Sequence, residues 1–413
     1  MKRFIYILAA AIAATCVSCT DIDNNDPYED DVCNLYVSVL LSDSSKAAGA
    51  DIDLENILTG SRFAATTSDN GSASFRVTNG IYRLEASFTG GGTLYNGAVE
   101  RLAVSGKDVS ATIPLAKVKT SDLVIKEIYC GGCKMLPFEG NYQSDKYILI
   151  HNNSENIVYL DSLCFGIVSP YNSTSINPWT GKDSDGNTTY PDFLPIAEAV
   201  WQFRGDGKSF PLESGEDAVI AVNGAIDHSA QFPLSVNLNN EKYFVCYNTT
   251  HFPNTTYHPS PGDKIRQDRI LNVVIKTGQS SAFPMSLNSP AIAIFRADGM
   301  TIQDFVGNAQ NVIPIPGSTN RAVCIPFDWV LDAVEVFDGK SSSNLKRMVS
   351  TLDGGYVKLS GVYLGHSLIR KVNTEASAEA GFEVLVDTNN SSNDFSEAEK
   401  ASLHSGKEDA RYE

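Results

Sequence analysis

Asp145-Lys146-Tyr147-Ile148-Leu149-Ile150-His151-Asn152-Asn153 is the stretch on which the reading of the fold turns. Tyr147 to Ile150 is an aromatic and branched apolar run of the kind that fits a pleated surface, and an Asn pair closes it in a turn. Upstream, Leu123-Val124-Ile125-Lys126-Glu127-Ile128-Tyr129 has the same character. Downstream, Ile157-Val158-Tyr159-Leu160-Asp161-Ser162-Leu163 follows as a third strand. Consecutive short strands with polar turns between them indicate a β-rich unit starting near residue 122.

The preceding stretch, 33–117, reads the same way. Leu35-Tyr36-Val37-Ser38-Val39-Leu40 alternates, and Asp69-Asn70-Gly71 sets a turn before Ser72-Ala73-Ser74-Phe75-Arg76-Val77. Gly80-Ile81-Tyr82-Arg83-Leu84 begins another strand, and Gly90-Gly91-Gly92 is a loop. Thr67, Asp69, Gly71, Phe75, Gly80 and Tyr82 fill a pattern that resembles the carboxypeptidase regulatory-like, transthyretin-like sandwich, with one residue fewer between the Asp and the Gly. That resemblance implies a domain that spaces, docks or presents.

From residue 122 onward the strand order resembles a lamin-tail-like immunoglobulin sandwich. Gly215 to Val222, Ser367-Leu368-Ile369-Arg370-Lys371 and Asp387 to Phe395 fall at its later steps. The expectation is therefore a mostly β protein of two β-sandwich (immunoglobulin-like) domains, the second with long loop insertions. Residues 1–18 form a leader, 19–32 an acidic tether, 33–117 the first sandwich and 122–413 the second, with insertions at about 169–210 and 230–355. Two short helices are expected, at Pro326 to Glu335 and at Glu397 to His404. Tyr142-Gln143-Ser144-Asp145-Lys146-Tyr147 and Asp387-Thr388-Asn389-Asn390-Ser391, with the leader and the short sandwich, resemble the domain of unknown function 4876 family of Bacteroides. That family carries no settled activity, so it implies no functional residues here.

The leader sets the address. Lys2 and Arg3 precede an apolar run from Phe4 to Ala14, too short for the roughly 20 residues that span a bilayer. Thr15-Cys16-Val17-Ser18-Cys19 resembles a lipobox, with Cys19 as the lipidated residue. The alternative is an ordinary secretory leader. Acids at Asp21, Asp23, Asp26 and Glu29 to Asp31 resemble the surface-export signal of Bacteroidetes lipoproteins. They point to a lipid anchor in the outer membrane facing the cell surface; a tether facing the periplasm is the other reading.

The 413 residues carry a net charge of −17, which repels phosphate backbones and argues against a nucleic-acid partner. Of eight cysteines, Cys33, Cys130, Cys133, Cys164, Cys246 and Cys324 lie beyond the tether. An exported protein can form disulfides, but the pairing stays open. Cys130-Gly131-Gly132-Cys133 follows a strand rather than opening a helix, so a local disulfide or free thiols is the reading over redox chemistry.

No nucleophile elbow, phosphate loop, zinc-binding helix or dinucleotide fingerprint occurs. His251 and His258 lie seven apart in a loop and read as solvated. Asp183-Ser184-Asp185-Gly186-Asn187 resembles the start of a calcium loop, making Asp183 and Asp185 a calcium candidate, but Leu194 stands where the closing acid belongs. Asp161-Ser162-Leu163 resembles a Bacteroidetes O-glycosylation signal.

The best binding candidate is the aromatic stretch 169–205, with Trp179, Tyr190, Phe193 and Trp201 among Asn, Ser, Thr, Gly and Pro. Rings in polar loops stack on sugars and other flat ligands, or else pin the loop to the body. The functional expectation is a non-catalytic envelope lipoprotein that binds a glycan, another small ligand or an outer-membrane partner. One alternative is an accessory subunit of a TonB-dependent nutrient transporter. Another is a polysaccharide hydrolase using carboxylates among Asp183, Asp185, Asp192, Glu198, Asp206 and Glu213.

Overall fold

A computed structural model describes residues 32–184, 186 and 188–404. The leader, the lipidation candidate Cys19, the tether up to residue 31, Asp185 and the segment 405–413 lie outside the described residues. The chain is mostly β, with 40% strand and 8% helix.

The first sandwich packs a three-stranded sheet on a five-stranded one. The order in the smaller sheet is Ser72–Thr78, Val32–Leu40, Val109–Pro114. The larger runs Arg62–Thr66, Asp51–Asn56, Gly80–Gly90, Thr93–Val104, Ala116–Lys117. Along Val32–Leu40 the side chains alternate, so Cys33, Leu35, Val37 and Val39 point inward and are buried. With Ile52, Leu54, Leu84 and Ile113 they form a core of their own. The Asn70-Gly71 turn is real: Gly71 sits at φ 68°, and an added Cβ would lie 2.7 Å from that of Lys46.

The second sandwich has a six-stranded sheet in the order Phe244–Val245, Asp217–Ala221, Tyr147–Asn152, Leu123–Tyr129, Ser367–Arg370, Phe395–Ala398. Every residue of Tyr147–Asn152 is buried. Ile148 and Ile150 face the space between the sheets. Tyr147 and Leu149 face outward onto a second cluster containing Ala225, Val236, Leu238 and Ala401. A strand covered on both faces has no reason to alternate, which is why this one reads as a continuous apolar run.

The opposing sheet has eight strands, and here the structure departs from the sequence expectation. Phe193–Gln202, Ala291–Phe295, Arg321–Pro326 and Val330–Asp338 all belong to it. The segments 169–210 and 230–355 thus supply most of a sheet rather than looping off one. Two helix expectations also fail. Residues Phe327–Trp329 make one 3-10 turn, and the chain then runs on as the strand Val330–Asp338. Its Val and Phe residues bury on both faces, which overrides the proline as a helix start. Phe395–Ala398 is likewise an edge strand, paired with Ser367–Arg370.

The two apolar cores do not merge; the sandwiches are joined by polar contacts. Arg83 Nη2 donates to the Gly354 carbonyl at 2.8 Å, and Asn390 Nδ2 to Glu85 Oε2 at 3.0 Å. Asn389 Nδ2 donates to the Lys119 carbonyl at 2.9 Å, and Lys358 Nζ to Glu55 Oε1 at 2.8 Å. Tyr356 donates its hydroxyl proton to Glu55 Oε2.

Candidate ligand-binding cleft between the sandwiches

The joint between the sandwiches leaves a cleft of about 170 Å³. One wall comes from the first sandwich, through Glu55, Arg83, Glu100 and Arg101. The floor is Phe337, Lys346, Tyr356 and Lys358 of the second. The other wall is the loop containing Asn177, Thr180, Lys182, Thr188 and Tyr190.

Local chemistry fixes each wall. Asn177 Oδ1 accepts from the Trp179 amide at 3.0 Å, and Asn177 Nδ2 donates to the Lys346 carbonyl at 3.1 Å, so one side chain shapes the loop and ties it to the floor. Gly181–Lys182 and Thr188–Thr189 then pair as a small hairpin. On the floor, Val330–Asp338 and Val357–Leu359 run parallel, which stacks the rings of Phe337 and Tyr356 at 4.0 Å and 12°. The Arg83 guanidinium lies 4.6 Å from the Tyr356 ring centre and the Lys358 ammonium 5.4 Å, both in cation–π range.

Five cations against two carboxylates line this cleft in an acidic protein. Both carboxylates are engaged. Burial works against the Glu55 carboxylate, but hydrogen bonds from Lys358 and Tyr356 and the charges of Lys358 and Arg62 hold it below its ordinary value. Glu100 accepts from Arg83 Nε at 2.9 Å. Three cations are committed as well: Arg83 to Glu100, Glu85 and Gly354, Lys346 to the carbonyls of Asp353 and Gly355, and Lys358 to Glu55. Arg101 is exposed and makes no hydrogen bond or ion pair among the described residues. Among the described residues Lys182 makes one, to Thr188 Oγ1 at 3.0 Å.

A second cavity of about 300 Å³ adjoins the first and shares Glu100, Arg101, Thr188 and Tyr190 with it. Tyr190 therefore stands between the two. Burial raises its phenol well above the ordinary value, and the charges of Glu100 and Glu335 add to this. The ring presents a protonated hydroxyl at any neutral pH.

Of the four aromatic candidates, only Tyr190 lines this cleft. Trp179 and Phe193 form an edge-to-face pair at 5.7 Å that pins the loop to the strand Phe193–Gln202. Trp201 is corrected outright: it is fully buried, stacked on Phe252 at 5.6 Å and edge-on to Phe283 at 5.5 Å. Asp183 lines the second cavity and accepts from the Gly186 amide through its carbonyl at 3.1 Å, closing the hairpin turn. Its calcium partner Asp185 lies outside the described residues. Among the described residues no group of three or more His, Cys, Asp or Glu side chains stands close enough to hold a metal.

The other candidates disperse. Glu198 lines a separate groove of about 450 Å³, away from Asp183, and Asp206 accepts from Ser209 Oγ at 2.9 Å within its own loop. Asp161 is buried and accepts from the amides of Gly207, Ser209 and Phe210, each at 2.9 Å, so its motif organises a turn. The six described cysteines are free thiols. Burial pushes Cys130 up to about 12 and raises Cys133, which leaves neither as a reactive thiolate. His258 is buried, drops to about 4 and accepts from the Asn248 amide through Nε2 at 3.2 Å, so it is a neutral core residue.

Residues 213–402 match the family model described as protein of unknown function DUF4876. A crystal structure of a DUF4876 family protein from Bacteroides thetaiotaomicron is 25% identical, with a TM-score of 0.56 over 88% of this chain and 94% of that one. The resemblance read from the sequence is thus borne out, and with it the β-sandwich fold. Two further structures match more weakly. Catechol 1,2-dioxygenase from Acinetobacter is 8% identical, TM-score 0.18, over 24% of this chain and 56% of its own. The Bacillus anthracis TIE protein is 16% identical, TM-score 0.18, over 50% of this chain and 38% of its own. No curated protein matches.

Proposed function

We propose that this protein is a lipid-anchored binding protein of the cell envelope that takes a small ligand in the cleft between its two sandwiches. One observation carries the reading: Tyr190 and two cations with donors to spare, Arg101 and Lys182, converge on a walled cleft whose other charges are mutually satisfied. Buried polar groups that serve the fold are saturated, whereas groups that serve a ligand keep capacity. At about 170 Å³ the cleft is smaller than the roughly 300–1,000 Å³ of pockets for drug-sized ligands. That suits one sugar ring, or one residue of a longer chain continuing into the second cavity. No two described members of the carboxylate group read from the sequence line the cleft, which supports a binder over a glycosidase. The leader and Cys19 supply the anchor, and the acidic tether supports exposure at the cell surface.

The test is calorimetric titration of the full-length, detergent-solubilised lipoprotein with a panel of neutral and charged mono- and disaccharides. Binding that Tyr190→Ala abolishes supports the cleft. Binding that survives this substitution places the ligand elsewhere and sinks the proposal. The anchor is tested apart from the cleft, by metabolic labelling with a fatty acid. Cys19→Ala removes the label if the anchor reading is right, and a label that persists refutes it.

A second reading, an accessory role beside an outer-membrane transporter, draws on the edge strand Arg62–Thr66. Four of its five residues are exposed, Phe63 among them. Co-purification of a barrel partner, lost on Phe63→Lys, would support it.

A further inference from the structure

We infer that the ligand of this cleft is an acidic sugar, a ring carrying a carboxylate that is held between Arg101 and Lys182. This rests on the cleft reading above and adds the charge and class of the ligand.

The argument is one of unused capacity. A guanidinium has five N–H donors in a fixed fork and a lysine ammonium has three. In this cleft three cations find acceptors. Arg83 is divided between Glu85, Glu100 and the Gly354 carbonyl, Lys346 between two carbonyls, and Lys358 is paired with Glu55. The two lining carboxylates bond these same partners, Glu55 with Lys358 and Glu100 with Arg83. Asp183 faces the neighbouring cavity rather than this one. Arg101 and Lys182 remain, one on each wall, with almost all their donors unspent among the described residues. In a chain with a net charge of −17, two such cations facing one cleft form a local positive potential against the general field. A guanidinium fork matches the planar edge of a carboxylate, so a carboxylate is the anion best suited to Arg101.

The rest of the lining argues for a ring behind that carboxylate. Tyr190 offers a half-buried ring and a hydroxyl with no hydrogen-bond partner among the described residues. On the same wall the Thr180 hydroxyl donates to the Asn177 carbonyl at 3.1 Å and keeps acceptor capacity, and the Thr188 hydroxyl accepts from Lys182 and keeps its proton to donate. A bare inorganic anion needs none of these, while a sugar uses both a stacking face and alternating donors and acceptors. Tyr190, Arg101 and Glu100 are shared with the second cavity, which gives a following sugar residue a place to continue.

The experiment compares D-glucuronate with D-glucose, which differ only in having a carboxylate or a hydroxymethyl at one carbon, and adds inorganic phosphate as a ringless anion. Each is titrated into the full-length solubilised protein, with saturation-transfer NMR as a second readout. Glucuronate is expected to bind and glucose to bind at least 10-fold more weakly. Phosphate is expected not to compete at equal concentration. Arg101→Ala and Lys182→Ala should each weaken glucuronate about 10-fold with unchanged melting temperature. Arg101→Lys should recover part of the loss, because it keeps the charge but not the fork. Equal binding of glucose and glucuronate overturns the charge assignment and leaves the cleft reading standing. Competition by phosphate as strong as by glucuronate overturns the sugar assignment. Silence from both sugars overturns the inference, while the cleft itself falls only if ligands found by the wider panel are indifferent to Tyr190→Ala.

Discussion

Arg370 and Arg101 carry the same guanidinium into opposite surroundings. Arg370 is buried at the heart of the second sandwich with its donors taken. Nη2 donates to Asp332 Oδ2 at 2.5 Å, Nη1 to Asp394 Oδ2 at 3.2 Å and to Asp387 Oδ1 at 3.3 Å, and Nε to the Ile125 carbonyl at 2.8 Å. The Phe395 ring lies 4.7 Å from its centre. Arg101 is exposed at the cleft mouth and spends none of its donors on the described chain. The contrast shows how to sort the charges of a protein whose activity is unknown. A saturated, buried cation holds the fold, and removing it strands the acids around it. A cation left unsaturated beside a cavity adds little to folding and is available to a ligand.

The comparison breaks most easily at its buried end. Arg370→Ala strands Asp332 and Asp394, and should cost about 3–5 kcal/mol in urea or thermal unfolding. A loss below about 1 kcal/mol would mean that burial and saturation do not mark structural charges here. The same node has a pH signature. Burial lifts Asp332 to about 7 and Asp394 to about 6, with the Arg370 charge opposing it. Both carboxyls therefore hold protons more tightly in the folded chain than in the unfolded one. Their contribution to stability is full below the ordinary carboxylate range and is lost as pH rises through 6 to 7. Asp217 runs the other way. Burial opposes its charged form, but hydrogen bonds from His151 and Lys126 overcome that and lower it, so its contribution is present above the ordinary range and lost on acidification. Urea midpoints between pH 5 and 8 should fall with rising pH more steeply in the native chain than in Asp332→Asn. Parallel curves would remove the node as the source.

The joint between the sandwiches is intermediate. Tyr356→Phe deletes the hydroxyl that donates to Glu55 while leaving the ring stacked on Phe337. Lys358 and Arg62 still neutralise the carboxylate, so the expected loss is about 1.5–2 kcal/mol, the lower part of the range for a hydrogen bond to a charged group. Proteolysis should sharpen the result: faster cutting in the 115–122 junction is expected as the joint loosens. Unchanged cutting with lowered stability would place the effect inside the second sandwich.

Much of this was legible in advance, and the rest was not for identifiable reasons. The first sandwich declares itself because Val32–Leu40 has one buried face, and a period of two survives in the sequence. Cys164–Val168 and Ala291–Phe295 are buried throughout, so no period marks them, and the sheet they share with 193–202 and 321–338 reads as inserted loop. Trp201 and Tyr190 sit eleven residues apart in one aromatic stretch. Trp201 lies on the strand Phe193–Gln202 and enters the core, whereas Tyr190 precedes that strand and stays in the cleft, a division that ring content alone does not reveal. Arg83, Arg101, Tyr356 and Lys358 carry no local motif. They meet because Gly80–Gly90 and Thr93–Val104 dock on the strand pair around 337 and 357, a juxtaposition that sequence spacing does not contain.

The smallest effect on folding is expected at the exposed end of the comparison, and it decides the most about function. Arg101→Ala removes no hydrogen bond or ion pair within the described chain, so stability should stay within about 0.5 kcal/mol of the native value. Removing one positive charge from an acidic protein slightly increases its self-repulsion, so any small shift should be a loss that added salt screens away. A destabilisation above about 1 kcal/mol would show that Arg101 serves the joint rather than a ligand, and the sorting of charges by saturation would fail where it matters most. If stability holds while ligand binding drops, the same substitution separates the two kinds of arginine: Arg370 measured by unfolding, Arg101 by titration, each silent in the other assay.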